Sequence, residues 1–182
     1  MKKLIVIGAI MLMVVGMVSV VRAGTTDTMT LTVNVTATAD VTIYATDYDF
    51  GTVALNSTSI STTSTAVRNT STDGAIQTYE LKVSPGSSGW TILGSTGGQN
   101  NVRIQAMWNA SQPSAITDST DFDLDEGGKT CNGTIFAGDQ TGQSVSSGVE
   151  ELLWFKLWTP ENSSTQGEHK FYLTITATLG AG

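Results

Sequence analysis

The sequence predicts an all-β fold, an antiparallel β-sandwich that follows an N-terminal signal peptide. Three observations lead to this prediction. Apolar and polar residues alternate with the period of a strand in one segment after another, helical periodicity is nearly absent, and turn-rich stretches separate the alternating segments. Short strands punctuated in this way are typical of two packed antiparallel sheets.

Residues 1–23 have the pattern of a secretory signal peptide. Two lysines give a cationic start, an apolar run follows over residues 4–21, and Val21 and Ala23 fit the −3 and −1 positions of a cleavage site. The alternative is a retained membrane anchor, because about 18 apolar residues are near the lower limit for crossing a bilayer. The basic start and the Val-x-Ala exit favour cleavage.

Cleavage after Ala23 would leave residues 24–182, the size of a single β-sandwich domain. We expect this domain to be secreted or held at the cell surface, with no integral membrane span after cleavage. The chain has a net charge of −7. That balance argues against nucleic acid as a partner, since binding the phosphate backbone needs a basic surface.

Six segments alternate clearly enough to be predicted as strands. They are residues 29–37, 40–45, 78–83, 102–108, 152–158 and 170–179. In the third of them, Tyr79, Leu81 and Val83 are expected to face the core, and Glu80 and Lys82 to face solvent. In the last, the residues expected on the inner face are Phe171, Leu173, Ile175, Ala177 and Leu179.

The first alternating segment is the candidate for assembly. Its apolar face consists of Met29, Leu31, Val33, Val35 and Ala37. A strand close to a free N-terminus can leave its own sheet and complete the sheet of a neighbouring subunit. The alternative is that the segment is only the first strand of its own domain.

A resemblance to a known family begins at Tyr48–Val53, which reads Tyr-Asp-Phe-Gly-Thr-Val. The pattern predicts a strand with Tyr48 and Phe50 turned inward and a kink at Gly51. It resembles the opening half of bacterial extracytoplasmic immunoglobulin-like domains, including those akin to the ASPM-SPD-2-Hydin type. The resemblance implies an immunoglobulin-like β-sandwich in a bacterial surface protein. The chain departs from the commoner pattern at Asn56, where such domains often have glycine.

Residues suited to catalysis are few. His169 is the sole histidine and lies in a polar turn, where we expect it to be exposed, and no Gly-x-Ser-x-Gly elbow is present. Cys131 is the sole cysteine, so the usual zinc ligand sets cannot be assembled. We expect Cys131 to be a small buried residue, with pairing to another chain as the alternative. The sequence therefore predicts a protein that is not an enzyme, with no catalytic residues.

Calcium is the one cofactor that the sequence suggests. Asp121, Asp123 and Asp125 occupy alternate positions, and carboxylates spaced in this way are found in calcium-binding loops. Glu126 and Asn132 stand where such a loop has glycine and glutamate. A plain acidic strand edge is the alternative.

Two tryptophans form a candidate contact for a glycan or another partner. Trp154 and Trp158 share one face of a predicted strand, about 13 Å apart. Leu153, Phe155 and Leu157 take the core side, so the two indoles are expected to be partly exposed. The alternative is that they lie beneath long loops or at a subunit contact, where tryptophan is enriched.

The function predicted from these features is that of a non-catalytic structural protein of the bacterial cell surface or of an extracellular filament. Its expected partners are further copies of itself or other surface proteins. The alternative is an extracellular binding module for a glycan or another surface partner.

Overall fold

Nine β-strands make up most of the regular structure in the part of the chain that is described. The computed structural model describes residues 37–45, 47–86, 89–94 and 98–180. The strands are β1 Val41–Ile43, β2 Thr58–Ile60, β3 Thr65–Asn69, β4 Gln77–Pro85, β5 Thr91–Ile92, β6 Asn101–Trp108, β7 Lys129–Thr130, β8 Glu150–Trp158 and β9 Phe171–Leu179. The described residues contain one short 3₁₀ turn, Thr120–Phe122, and no α-helix. The prediction of an all-β fold is confirmed.

The larger sheet has six strands, in the order β1-β3-β8-β6-β5, with β2 also paired to β8. β5 and β6 are parallel, and the other pairings are antiparallel. β2 lies opposite residues 156–158 and β3 opposite residues 150–153, so both occupy one edge of β8 in succession. The sheet curls into a half-barrel.

Ser61 holds the larger sheet together at the break between β2 and β3. Its backbone N–H donates to the carbonyl of Phe155 at 2.8 Å, and its hydroxyl accepts from the N–H of Phe155 at 3.0 Å. Ser61 is fully buried, so an unpaired N–H on Phe155 would be costly there. The serine hydroxyl thus replaces the carbonyl that an uninterrupted strand would supply.

The smaller sheet has three strands in the order β7-β4-β9. β4 and β9 are antiparallel and pair along their whole length, from Gln77 opposite Leu179 to Pro85 opposite Phe171. β7 is only two residues long and pairs with β4 on the other side. This sheet is therefore one long two-stranded ladder with a short third strand.

A single apolar cluster joins the two sheets. The rings of Tyr79 on β4 and Trp108 on β6 lie 5.6 Å apart between their centroids, and both residues are fully buried. Burying an apolar side chain of this kind contributes about 1.5–3 kcal/mol. The predicted inward residues of four strands belong to the cluster: Tyr79, Leu81, Val83, Val102, Ile104, Ala106, Trp108, Leu153, Phe155, Leu157 and Ile175. Packing of two sheets is confirmed, whereas the immunoglobulin-like topology stays a prediction.

The Tyr48–Val53 stretch is not a strand, contrary to expectation. Phe50 and Val53 pack against the core as expected, but Gly51 has a φ of +68°. That backbone conformation cannot continue a regular strand, and the stretch is held by side chains instead. The Thr62 N–H donates to the Tyr48 hydroxyl at 2.8 Å.

The described residues belong to one compact unit. The predicted signal peptide over residues 1–23 and the predicted domain start at residue 24 lie outside the described residues. Within the described ranges, no helix is long and apolar enough to cross a bilayer.

Candidate functional site

Most of the predicted assembly face lies outside the described residues. Met29, Leu31, Val33 and Val35 belong to that part of the chain. Ala37 is described; it is exposed and precedes β1 without belonging to a strand. The assembly role of this segment therefore stays a prediction. The structure describes the residues that follow it, where the chain enters the fold.

The described chain enters the fold at a fixed place. The backbone N–H of Thr38 donates to Asp73 Oδ2 at 2.6 Å, and this hydrogen bond is the main cause that lowers the pKa of Asp73. The side chain of Gln77, the first residue of β4, donates to the carbonyl of Asp40 at 2.9 Å. Gln77 is paired with Leu179 at the end of β9. The entry point thus lies at the end of the sandwich where β4 begins and β9 finishes.

β9 pairs with β4 along one edge, and its second edge is open among the described residues. No strand pairs with that second edge among the described residues. The strand is nine residues long and reads Phe-Tyr-Leu-Thr-Ile-Thr-Ala-Thr-Leu, with no charge, proline or glycine. Natural sheets usually protect such an edge with charges, prolines or a short strand. β9 has none of these protections.

Loops cover the opposite edge of the same sheet. The backbone N–H of Tyr79 donates to Gly142 at 2.8 Å, the N–H of Val83 donates to Asp125 at 3.0 Å, and the N–H of Cys131 donates to Tyr79 at 2.8 Å. Strands β1, β5 and β7 at other edges are only two or three residues long. Within the described ranges, β9 is thus the one long edge that remains unpaired.

The side chains of β9 are incompletely covered. Only Ile175 at its centre is buried, and Phe171, Leu173 and Ala177 are half-buried against the core. Leu179 shares the face of Ile175 and Ala177, as expected, but it is 50% exposed. It is the last residue of an edge strand, and no strand among the described residues covers it on the open side. The apolar face of β9 therefore lacks cover toward its edge.

Two of the three candidate calcium ligands bind groups in their own loops. Asp121 accepts a hydrogen bond from the Ser119 hydroxyl at 3.1 Å. Asp125 accepts from the backbone N–H of Gly128 at 2.8 Å and pairs with Lys129 at 3.4 Å. In the part of the chain that the structure describes, no three acidic, histidine or cysteine side chains lie close enough to hold a metal ion. Calcium binding stays a prediction that would require these contacts to rearrange.

The third aspartate belongs to a buried polar network. Arg103 Nε donates to Asp123 Oδ1 at 2.6 Å, and Gln105 Nε2 donates to the same oxygen at 3.1 Å. A second guanidinium nitrogen of Arg103 pairs with Asp118. Asp123, Arg103 and Gln105 are all buried, and Asp123 Oδ2 has no hydrogen-bond partner in the described structure. Alternation along β6 gives no sign that its second face is buried too.

The segment that follows β6 explains this burial. Lys156 Nζ donates to the carbonyl of Ile116 at 2.8 Å, which ties the segment to β8. Ile116 is buried, and burial lowers the pKa of Lys156. Residues 109–123 thus lie over the second face of the larger sheet. The length of this stretch between two strands was the only signal in the sequence.

The segment of residues 109–123 also buries part of the candidate glycan contact. Trp154 is only 6% exposed, and its indole N–H donates to the carbonyl of Asn109 at 2.8 Å. The expectation of a partly exposed Trp154 is therefore wrong, and the alternative, burial beneath a long loop, is what the structure has. Trp158 is half-buried, with Lys156 Nζ 4.6 Å from its ring centroid. The two indoles do not share an exposed platform, and a glycan or partner contact there stays a prediction.

Cys131 is a core residue, as expected. It is 1% exposed, and the Trp108 indole N–H donates to its sulfur at 3.2 Å. Burial raises the pKa of Cys131 to about 12, so the thiol stays protonated at neutral pH. Burial also raises the pKa of the neighbouring Tyr79. These groups are protonated and enclosed, which suits packing.

His169 is not the exposed residue that its polar turn predicts. Its ring stacks on Trp90 with 3.7 Å between centroids and 14° between planes, and it is half-buried. The Trp90 indole N–H donates to the Ser163 hydroxyl at 2.9 Å. This aromatic pair fastens the stretch before β9 to the stretch before β5.

An open depression of about 290 Å³ lies beside Arg68, at the end of β3. Its lining is mostly backbone and hydroxyl groups. Arg68 Nε donates to the carbonyl of Gly148 at 3.1 Å, and its Nη1 donates to the Tyr44 hydroxyl at 3.5 Å. The guanidinium is therefore engaged by neighbouring protein groups.

The structure is that of an all-β protein with two packed sheets. Among the described residues, it has one long, uncharged strand edge that is open. No protein-family model matches the sequence, and no curated protein matches it significantly.

Proposed function

We propose that this chain is a non-catalytic structural protein of the bacterial cell surface or of an extracellular filament, and that its copies assemble through the N-terminal strand of residues 29–37. Export takes place through a signal peptide over residues 1–23 that is cleaved after Ala23. The partners are further copies of the chain or other surface proteins. The observation that carries the proposal is the open edge of β9.

An unguarded edge favours strand addition. A free edge offers a row of backbone N–H and C=O groups, and an added strand satisfies them with main-chain hydrogen bonds. Proteins that stay monomeric usually block such an edge. An edge of nine uncharged residues, as in β9, supports a role in assembly.

The use of ionisable groups inside the fold supports a structural role. Arg103 on β6 and Asp123 at the end of the covering segment form a buried pair, and Cys131 is enclosed with a raised pKa. Arg103 and Asp123 join β6 to the segment that follows it, and the sulfur of Cys131 accepts the indole N–H of Trp108 on β6. The resemblance of Tyr48–Val53 to extracytoplasmic immunoglobulin-like domains gives separate support for a surface location.

The test uses two single substitutions in the mature protein, residues 24–182. Val33→Asp places a carboxylate on the apolar face of the assembly segment, and Asn34→Asp places the same carboxylate on its polar face. We expect negative-stain microscopy and sedimentation to show polymers for the parent and for N34D, and monomers for V33D, because only V33D would bury an unpaired charge.

Both variants carry the same added charge, so a general electrostatic effect would weaken both equally. Polymers of V33D as long as those of the parent would contradict assembly through this segment. A parent protein that stays monomeric at all concentrations would contradict the structural role and would leave the alternative of a monomeric binding module.

A further inference from the structure

We infer that the open edge of β9 binds residues 29–37 of a second copy, antiparallel to β9, with the apolar side chains of that segment turned toward the core. This inference rests on the proposed function. It adds the edge that accepts the strand, the copy that donates it and the direction in which it runs.

The residue pattern of the donor matches that of β9. Both are nine residues long, and neither carries a charge. β9 alternates its apolar residues with Tyr172 and three threonines, and the donor alternates its apolar residues with three threonines and Asn34. Side by side, the two strands would place apolar residues on the core side and hydroxyl groups on the outer side. Threonine pairs across neighbouring strands stabilise such a sheet.

The side chains of β9 are exposed in the pattern expected for a strand that lacks a neighbour on one edge. Ile175 at the centre is buried, whereas Phe171, Leu173 and Ala177 are half-buried. Leu179 and Tyr172 are 50% and 60% exposed. A strand added at this edge would cover the apolar residues on its inner side, which extends the core without changing β4.

The position of Thr38 determines whether residues 29–37 can pair with β9 of their own copy or only with β9 of a second copy. Thr38 and Asp40 are held at the end of the sandwich where β9 finishes. A segment that leads into Thr38 could follow β9 of its own copy only in the parallel direction. The antiparallel direction would put residue 37 about 30 Å from residue 38, whereas consecutive Cα atoms lie about 3.8 Å apart. A second copy has no such restraint.

The smaller sheet favours the antiparallel arrangement. Its existing pairings, β7 with β4 and β4 with β9, are both antiparallel. Antiparallel pairing is also slightly more stable per residue than parallel pairing. With two strands of nine residues, one antiparallel register pairs every residue. It sets Val33 opposite Ile175 and Thr30 opposite Thr178.

Disulfide trapping in the mature chain tests the copy, the direction and the register together. In Thr30→Cys/Thr178→Cys the two cysteines are opposite each other only in the antiparallel arrangement. In the matched control Thr30→Cys/Tyr172→Cys they are opposite each other only in the parallel one. Cys131 is buried and does not compete. We expect mild oxidation to produce a ladder of disulfide-linked multimers for T30C/T178C and none for T30C/Y172C.

The outcomes separate this inference from the proposed function. Polymers without a crosslink in either variant would place the accepting edge elsewhere and overturn the inference alone. A crosslink in T30C/Y172C, within one chain or between chains, would overturn the antiparallel arrangement. A protein that forms no polymers would overturn the inference together with the proposed function.

A second measurement avoids substitutions in β9. A synthetic peptide of residues 28–38 should occupy the open edge of the last subunit and shorten the polymers of the parent protein. A peptide with the same composition in scrambled order is the control, because it lacks the alternation. Equal polymer lengths with both peptides would overturn the inference.

Discussion

At the scale of single residues, the ion pair of Arg103 and Asp123 joins β6 to the segment that covers one face of the larger sheet. Both side chains are more than nine-tenths buried, and they are joined at 2.6 Å. Asp123 is the last residue of the segment 109–123, which lies over Arg103 on β6 and brings the carboxylate to the guanidinium. The charged pair stabilises the fold only while both partners are present, because either charge alone would be buried without compensation.

We therefore expect Arg103→Met to lower the free energy of unfolding by about 3–5 kcal/mol, the usual cost of leaving a buried charge unpaired. Denaturant titration followed by tryptophan fluorescence measures this. The control is Lys170→Met, which removes an exposed partner of Glu168 and should leave the midpoint unchanged. An R103M variant as stable as the parent would show that Asp123 is not held as a charged group by Arg103.

Glu151 makes stability depend on pH in an unusual direction. Burial raises the pKa of this carboxyl, although the backbone N–H of Gly142 donates to it at 2.6 Å. The folded protein then binds the proton more tightly than the unfolded chain does. Its contribution to stability is present below the pKa of the unfolded chain and is lost as the pH rises through the folded pKa.

Glu151→Gln removes that titration and keeps an acceptor for the Gly142 N–H. We expect E151Q to be more stable than the parent above this pH window and to lose the advantage at lower pH. The control is Glu150→Gln, which makes the same charge change at an exposed neighbour. Chemical denaturation from about pH 3.5 to pH 8 tests this, starting below the usual glutamate pKa of about 4.3. A constant difference between E151Q and the parent would contradict it.

At the scale of elements, the loop before β8 packs directly against Trp108 in the core, because the residue at the contact is Gly142, which has no side chain. Gly142 has a φ of +65°, and a Cβ there would lie 2.4 Å from Trp108 Nε1 and 2.9 Å from Cys131 Sγ. The same loop accepts the Tyr79 N–H along the edge of β4. Close packing and edge cover thus depend on one residue without a side chain.

Gly142→Ala should cost more stability than Gly74→Ala. Gly74 has a φ of +79°, and a Cβ at that position would have no atom within 4 Å, so G74A carries the backbone strain alone, about 1–2 kcal/mol. G142A adds overpacking of about 1–3 kcal/mol. Thermal unfolding of both variants measures the difference. Equal losses would show that the loop moves away at no cost.

The alternation of apolar and polar residues predicted the strands that have one buried face and one solvent-exposed face. β4 is an example, since Tyr79, Leu81 and Val83 are all in the core. It did not predict the buried second face of β6, because the cover comes from residues 109–123, which follow β6 directly and form no strand. The strand expected at Tyr48–Val53 is absent because the conformation of Gly51 interrupts it.

The candidate site was predictable only in part for a related reason. The proposed donor segment, residues 29–37, stands out in the sequence because its alternation is clean and uncharged. The proposed accepting edge does not stand out, since β9 alternates like any other strand. Its place at an edge follows from the order β7-β4-β9, and sheet order depends on pairings between distant parts of the chain.

At the scale of the whole molecule, the net charge opposes association, whereas the two segments of the proposed contact are uncharged. The chain has a net charge of −7, so copies repel at low ionic strength. Neither β9 nor residues 29–37 carry a charge. We expect assembly to become faster as NaCl rises from about 10 mM to about 150 mM, because the Debye length falls from about 30 Å to about 8 Å.

Light scattering at fixed protein concentration measures the lag time. The control is an equal increase in sucrose, which changes viscosity and not ionic screening. Slower assembly at the higher salt concentration would indicate that attraction between charged patches, and not strand pairing, brings the copies together.

The single long open edge in the described residues also limits the shape of any assembly. A subunit with one accepting edge and one donating segment has a valency of two, so its products are unbranched threads or closed rings. A thread built in this way has distinct ends, with an empty edge at one and an unused segment at the other. One capping molecule per thread is then enough to stop growth at the empty edge, and a host cell could set thread length by the ratio of cap to subunit.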